Sequence, residues 1–245
     1  MAHLKLKDRE LGSVQGVLFD KDGTLSHSEP RLIELADARI DEAERRFRLK
    51  GVSGSVLSEL HNLLARTYGR SSAGVIPDGT LAVASRHHNL LSTATVFCQM
   101  DLSWPQSLVL AQEVFDQVDR RKQMLHPDGD AVDLLPDAAR ILRELSRAGI
   151  LCAVISNDTT DGIEKFLHQH QLNDCISGVW SADHHPAKPD PGAVQGLCSQ
   201  LGLPVESCAL IGDADTDLMM ARQAGIGVTL GYVAGWHREP TLTAH

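Results

Sequence analysis

The strongest constraint on the fold lies in the second half of the 245-residue chain, where short apolar runs alternate with helical patterns from about Leu134 onward. Pro136 opens "PDAARILRELSRAG", in which Ile141, Leu142 and Leu145 share one helical face and Gly149 supplies the stop. "ILCAVIS" follows as a short, apolar, partly β-branched run, the pattern of a strand buried on both faces. "TTDGIEKFLHQHQ" is helical, "CISGVW" is a strand, and "DPGAVQGLCSQLG" is a helix with Asp190 as cap, Pro191 at its first position and Gly202 as its stop. The strand "CALIG", the helix "DTDLMMARQAG" and the strand "GVTLG" complete the series, and the opening run "SVQGVLFD" reads as one more strand of the same sheet. Strands and helices at this spacing predict βαβ units, a parallel sheet and a doubly wound, Rossmann-like α/β core, with ligands bound beyond the carboxyl ends of the strands.

Between the first strand and this series the texture is helical, as in "PRLIELADARIDEAERRFRLKG" and "WPQSLVLAQEVFDQVDRRKQML". About 100 residues with little strand signal are too many for a loop in a compact domain. Residues 28–130 are therefore expected to form an inserted α-helical domain, and residues 1–27 with 131–245 the core. A formal charge of −9 argues against a general nucleic-acid binder, which needs a cationic surface. The five cysteines are widely spaced and lack any CxxC pairing, so reduced core thiols and a cytoplasmic location are expected. No apolar run approaches the length that spans a bilayer, and the N-terminus has no leader-like apolar segment, so no membrane partner is expected. The tail "HREPTLTAH" carries no readable signal.

Polar clusters fall at the predicted strand ends: "FDKDGT" after the first, "VISND" after the second and "IGDADTD" after the fourth, while Lys188 in "AKPDP" lies just ahead of a helix start. A parallel sheet gathers its strand ends on one edge, so these distant residues can share a site. Carboxylates gathered there repel one another unless a cation joins them, and all-oxygen ligation suits Mg²⁺. Asp20 and Asp213 are the leading ligand candidates, with Asp217 holding a metal-bound water or orienting Lys188, and Asp22 counted with the metal group. A calcium loop fits neither cluster: positions six and twelve would be Leu218 and Ala224 in one, and Leu25 and Arg31 in the other, instead of glycine and glutamate.

These clusters resemble, in order, the motifs of the haloacid dehalogenase-like hydrolase superfamily: "FDKDGTL", Ser156 in "VISND", Lys188 in "KPDP" and "GDADTD". The likeness covers about Val14 to Trp236, and "DGTLSHSEP" and "AKPDPGA" look most like the phosphoglycolate phosphatases and β-phosphoglucomutases, whose helical cap sits between the first two motifs. The resemblance implies that Asp20 attacks phosphorus to form an aspartyl-phosphate and that Asp22 serves as general acid and then base. It also implies that Ser156 and Asn157 meet the phosphoryl group, that Lys188 and Mg²⁺ neutralise it, and that Gly23 and Thr24 let backbone amides approach it. Dehalogenases lack an acid at the position of Asp22, because a halide leaves unprotonated, so phosphate esters are the expected substrates.

Beside these readings stand plainer ones. Ser156 and Asn157 could be only a helix cap, and Asp215 reads as a helix cap instead of a ligand. Lys21 stands where close relatives often carry an apolar residue, and is expected to point away from the two acids into a neighbouring salt bridge. His27 reads as a hinge or surface residue, His184 and His185 as a surface loop, and Trp104, Trp180 and Trp236 as packing anchors. Arg86, with His87 and His88, either reaches a substrate anion or begins a solvated helix. The expected protein is a monomeric or homodimeric Mg²⁺-dependent phosphatase of small phosphorylated metabolites, phosphoglycolate first and sugar phosphates next. A phosphomutase, or a non-catalytic regulatory or scaffold protein on the same fold, is the alternative.

Overall fold

The computed structural model describes residues 2–6, 8–125 and 132–243. The chain divides into two compact units, Met1–Ser28 with Ala131–His245, and Glu29–Asp130.

The first unit is built on a five-stranded parallel sheet. Its strands are β3 (Gly16–Phe19), β6 (Leu151–Ile155), β7 (Ile176–Trp180), β8 (Cys208–Gly212) and β9 (Val228–Gly231), in the order β7-β6-β3-β8-β9. All four pairings are parallel. Strand side chains alternate between faces, and the core divides accordingly. Val17, Phe19, Cys152, Val154 and Ala209 pack with Leu142 of α6 (Ala138–Arg147) and with Ile163, Phe166 and Leu167 of α7 (Thr160–Gln169). Leu18, Ala153, Ile155 and Leu210 pack with Val194 and Leu197 of α8 (Pro191–Leu201) and with Met220 and Ala221 of α9 (Asp215–Ala224). With apolar residues on both faces of β3, a truncation such as Leu18→Ala should cost about 2–5 kcal/mol.

The strand order positions the site. From central β3 the chain builds outward through β6 and β7, then returns to the opposite flank for β8 and β9. The crevice beyond the carboxyl end of β3, between those of β6 and β8, is therefore the point where the winding reverses, the usual binding place in an open α/β sheet.

Local rules account for the helix ends. Asp190 caps α8 by accepting from the Gly192 amide at 2.7 Å, with Pro191 at the first turn and Gly202 in the left-handed conformation at the end. α6 starts at Ala138, two residues after Pro136, and buries Ala138 and Leu142, whereas Ile141 is 40% exposed. The expected apolar face was thus drawn too wide, since only one turn-to-turn stripe meets the sheet. "SVQGVLFD" is also divided: Val14 ends an antiparallel hairpin of β1 (Ala2–Leu6) and β2 (Arg9–Val14), and only Gly16–Phe19 joins the parallel sheet. The alternation in "HLKL", with Asp8 at a φ of 64° in the turn, was the available signal for that hairpin.

In the second unit, α1 (Glu29–Leu49), α2 (Ser55–Tyr68), α4 (Arg86–Gln99) and α5 (Trp104–Leu125) are the main helices; α3 (Thr80–Val83) and a hairpin of β4 (Arg70–Ser71) and β5 (Gly74–Val75) intervene. Leu60, Leu64 and Tyr68 recur every four residues on the buried face of α2, and Ala36, Ile40, Ala43 and Phe47 form the matching stripe of α1. Glu42 has a fully buried side chain and is met by Arg45, Arg46 and Arg121 at 2.6, 2.8 and 3.2 Å. Among the described residues no helix is long and apolar enough to cross a membrane. All five cysteines are free.

Candidate active site at the carboxyl edge of the sheet

Three strand ends, those of β3, β6 and β8, each contribute one functional group. Asp20 immediately follows β3 and its amide donates to the Ile211 carbonyl of β8 at 2.9 Å, which anchors it to the sheet. Ser156 follows β6, with its amide on the Trp180 carbonyl of β7 at 2.9 Å, and Asp213 follows β8. Asp217 lies in the first turn of α9, and Lys188 stands just before α8. Asp20, Ser156, Lys188, Asp213 and Asp217 are all buried.

Lys188 joins the cluster. Its Nζ donates to Asp20 Oδ1 and meets Asp217 Oδ1, each at 2.6 Å, and approaches the Ile155 carbonyl at 3.4 Å. Ligand oxygens of Asp20, Asp213 and Asp217 lie within 4.8 Å of one another, the sole metal-capable group of this kind among the described residues. Three carboxylates face one ammonium, and the energetics show the imbalance. Burial, with repulsion from Asp217 and Asp22, pushes the Asp20 carboxyl up to about 6 against the pull of Lys188. Asp213 is pushed well above the carboxylate range by burial and by Asp20 and Asp217. Burial works against the charge on Lys188, yet Asp20 and Asp217 together hold it above the ordinary lysine range. An all-oxygen donor set with unbalanced negative charge fits a hard divalent cation.

The turn after Asp20 is tightly tied. The amides of Leu25 and Ser26 donate to the Lys21 carbonyl at 2.9 Å, that of Thr24 to the same oxygen at 3.4 Å, and that of Gly23 to the Ser26 carbonyl at 3.0 Å. The Gly23 and Thr24 amides, expected to approach a phosphate, are thus used inside the turn, because a reversal this sharp is closed by its own backbone. Gly23 has a φ of 84°, and a Cβ there would stand 2.3 Å from Asp213 Oδ2, so the position requires glycine. Thr24 instead acts through its side chain, with Oγ1 donating to Asp213 Oδ1 at 3.2 Å.

Other expectations need correction. Asp22 is not part of the metal-capable group: Lys21 reaches both its oxygens at 2.8 Å, and the hydroxyls of Ser26 and Ser28 donate to its Oδ1. Lys21 therefore turns toward the acid instead of away, because the strand has already ended and its alternation no longer governs the side chain. The expected neighbouring salt bridge also exists, to Asp158 Oδ2 at 3.1 Å. Ser156 is not the cap of α7: Thr159 is, by accepting from the Gly162 amide, while Ser156 Oγ accepts from the Asp158 amide at 3.1 Å. Asn157 follows at the same edge, half-buried. Ala214, not Asp215, stands at the cap position of α9; the Asp215 carboxylate accepts from the amide and hydroxyl of Thr243, so the tail without readable signal is tied back to α9.

Trp236 is the residue whose role the sequence concealed. It is buried as an anchor would be, but its Nε1 also donates to Asp213 Oδ2 at 2.5 Å. Trp104, read as an anchor, is 48% exposed. Trp180 donates to the Pro186 carbonyl at 2.9 Å and stacks on His184, which occupies that histidine within its own loop. In the helical unit, Arg86 opens α4, lies over the Phe115 ring at 5.3 Å and pairs with Asp116 and Asp119 at 3.2 and 2.6 Å. Its guanidinium is committed to carboxylates of α5; His87 and His88 are exposed.

Comparison with known proteins identifies the family. The chain is 28% identical over 236 residues to a phosphoglycolate phosphatase of Vibrio cholerae, covering 95% of this chain and 90% of that one. It is 26% identical over 237 residues to a phosphoglycolate phosphatase of Yersinia pestis, covering 95% and 87%. The crystal structure of a predicted phosphoglycolate phosphatase from Haemophilus somnus shares the fold, with a TM-score of 0.60, 19% identity, and coverage of 89% and 85%. The family model described as haloacid dehalogenase-like hydrolase matches residues 14–225, from the end of the N-terminal hairpin to the stop of α9. With most of its length accounted for by that match, the chain belongs to the haloacid dehalogenase-like hydrolases.

Proposed function

We propose that this protein, a hydrolase of phosphoric monoesters, is a Mg²⁺-dependent phosphatase of small phosphorylated metabolites that works through an aspartyl-phosphate. The observation that carries the reading is Lys188 held 2.6 Å from both Asp20 and Asp217, with Asp213 completing the carboxylate group. Asp20, Asp213 and Asp217 would hold the cation, which when bound supplies positive charge opposite the transferring phosphoryl group.

Asp20 attacks phosphorus in line, forming the P–O bond to its carboxylate as the bond to the leaving alkoxide breaks. Lys188 places its ammonium against the phosphoryl oxygens, and the Ser156 hydroxyl, whose oxygen already accepts from the Asp158 amide, keeps its proton to donate to one of them. Asp22 gives its proton to the leaving oxygen, then takes one from the water that displaces phosphate from Asp20. The helical unit, Glu29–Asp130, serves as a cap whose side chains select the substrate. Phosphoglycolate is the first substrate to try, because the relatives named above carry that name. We expect the enzyme to act in the cytoplasm, where its five free cysteines stay reduced.

The test is phosphate release from a panel of phosphorylated metabolites, in Mg²⁺ and in EDTA, by wild type and Asp20→Asn. Metal-dependent release lost by more than about 10³-fold in the variant is expected. Release that persists in the variant would remove Asp20 as nucleophile, and isomerisation of a hexose 1-phosphate without release would identify a mutase.

A further inference from the structure

We infer that Lys21 is a positioning residue for proton transfer, setting the plane of the Asp22 carboxylate through an ion pair anchored on Asp158. The inference rests on the reading of Asp22 as the acid and base of the reaction.

A lysine between two acids at a strand end would ordinarily extend into water, since burying an ammonium is unfavourable without partners. Here the side chain is 2% exposed. It runs inward over the Phe166 ring, with Nζ 5.6 Å from the ring centroid, where an aromatic face offsets part of the lost hydration. At its end, Nζ spans two carboxylates, Asp22 and Asp158, at 2.8 and 3.1 Å. Asp158 is itself fixed, because its Oδ1 accepts from the Thr159 amide at 2.8 Å just ahead of α7. The far anchor of the lysine is thus part of the fold and not a mobile surface acid.

Lys21 touches both oxygens of Asp22, each at 2.8 Å, and Ser26 and Ser28 donate to Oδ1. Donors on one oxygen leave a carboxylate free to swing about that contact. A donor against both oxygens fixes the plane. Proton transfer to a leaving oxygen depends steeply on that orientation, and a misplacement of about 1 Å can lower the rate by about 10²-fold.

The consequence is a dependence on leaving group that differs from a general loss of activity. The kcat/KM values of wild type, Lys21→Met, Lys21→Arg, Asp158→Asn and Asp22→Asn are measured on phosphate monoesters whose leaving groups span pKa values from about 7, p-nitrophenol, to about 16, simple alcohols. Lys21→Met should lose about 10–100-fold on alkyl esters but less than about 3-fold on p-nitrophenyl phosphate, with the loss in kcat instead of KM. Lys21→Arg should restore part of the alkyl-ester rate, and Asp158→Asn should give the same signature more weakly. Should Lys21→Met not fold, as judged by circular dichroism, Asp158→Asn carries the test, since it keeps Lys21 and the turn. Equal losses across the series in the Lys21 and Asp158 variants, while Asp22→Asn steepens the leaving-group dependence, would overturn the inference alone. An Asp22→Asn variant parallel to wild type would overturn the underlying assignment of Asp22.

Discussion

Replacing Asp213 by asparagine should make the metal-free protein more stable and remove most of the stabilisation that Mg²⁺ gives. Asp213 has an oxygen within 4.8 Å of those of Asp20 and Asp217. At an effective dielectric near 20, each such repulsion is about 3–4 kcal/mol when both groups are ionised. Lys188 contacts Asp20 and Asp217, so those two are offset first and Asp213 keeps the unbalanced charge. Partial protonation relieves some of the repulsion. Asparagine removes the charge but offers one oxygen to two donors, Thr24 Oγ1 and Trp236 Nε1, so one hydrogen bond is lost at about 1–2 kcal/mol. The net expectation in EDTA is a gain of about 1–3 kcal/mol, or a rise in Tm of about 3–10 °C. Saturating Mg²⁺, at about 100 times its Kd, should add about 2.7 kcal/mol to wild type and well under 1 kcal/mol to the variant. The gap between the melting temperatures should therefore shift toward wild type by about 2 kcal/mol when metal is added, read by circular dichroism at pH 8 in EDTA and in MgCl₂. A variant that melts several degrees below wild type in EDTA, or an equal upward shift of both proteins by Mg²⁺, would refute the argument.

Trp236→Phe keeps most of the packing but leaves Asp213 without its indole donor, so the Kd for Mg²⁺, followed by calorimetry without substrate, should rise about 10-fold or more. Glu42 tests the helical unit: hydrogen bonds from Arg45 and then Arg46 outweigh burial and hold its carboxyl at about 2. Because that value is depressed, the stabilisation is present above the unfolded carboxyl range near pH 4.5 and disappears as the pH falls toward about 2. Glu42→Gln should thus cost about 1–3 kcal/mol in denaturant melts at pH 7 and progressively less below about pH 4.

What was legible in the chain was local. Apolar runs of strand length, helix stops such as Gly202 and caps such as Asp190 obey short-range rules, so the βαβ series and its carboxyl-edge clusters could be read directly. The hairpin Ala2–Val14 was harder, because its alternation is short and diluted by charge. Ile141 carried the right residue type at a position that the packing leaves exposed. Asp215 looked like a cap because acids favour helix starts, yet the returning tail claimed its carboxylate.

The sequence by itself determined the α/β class, the order of the clusters and the residue types at the site, since these follow from periodicity and from the chemistry of carboxylates and a lysine beside a strand end. Only the tertiary structure decided which side chains meet. Strand β3 lies between β6 and β8, which brings Asp20, Ser156 and Asp213 to one edge although more than a hundred positions separate the first from the others. Lys21 turned inward to Asp22 and Asp158, and Trp236 returned from near the end of the chain to hold Asp213. Those contacts depend on where distant segments cross, and no spacing along the chain records a crossing.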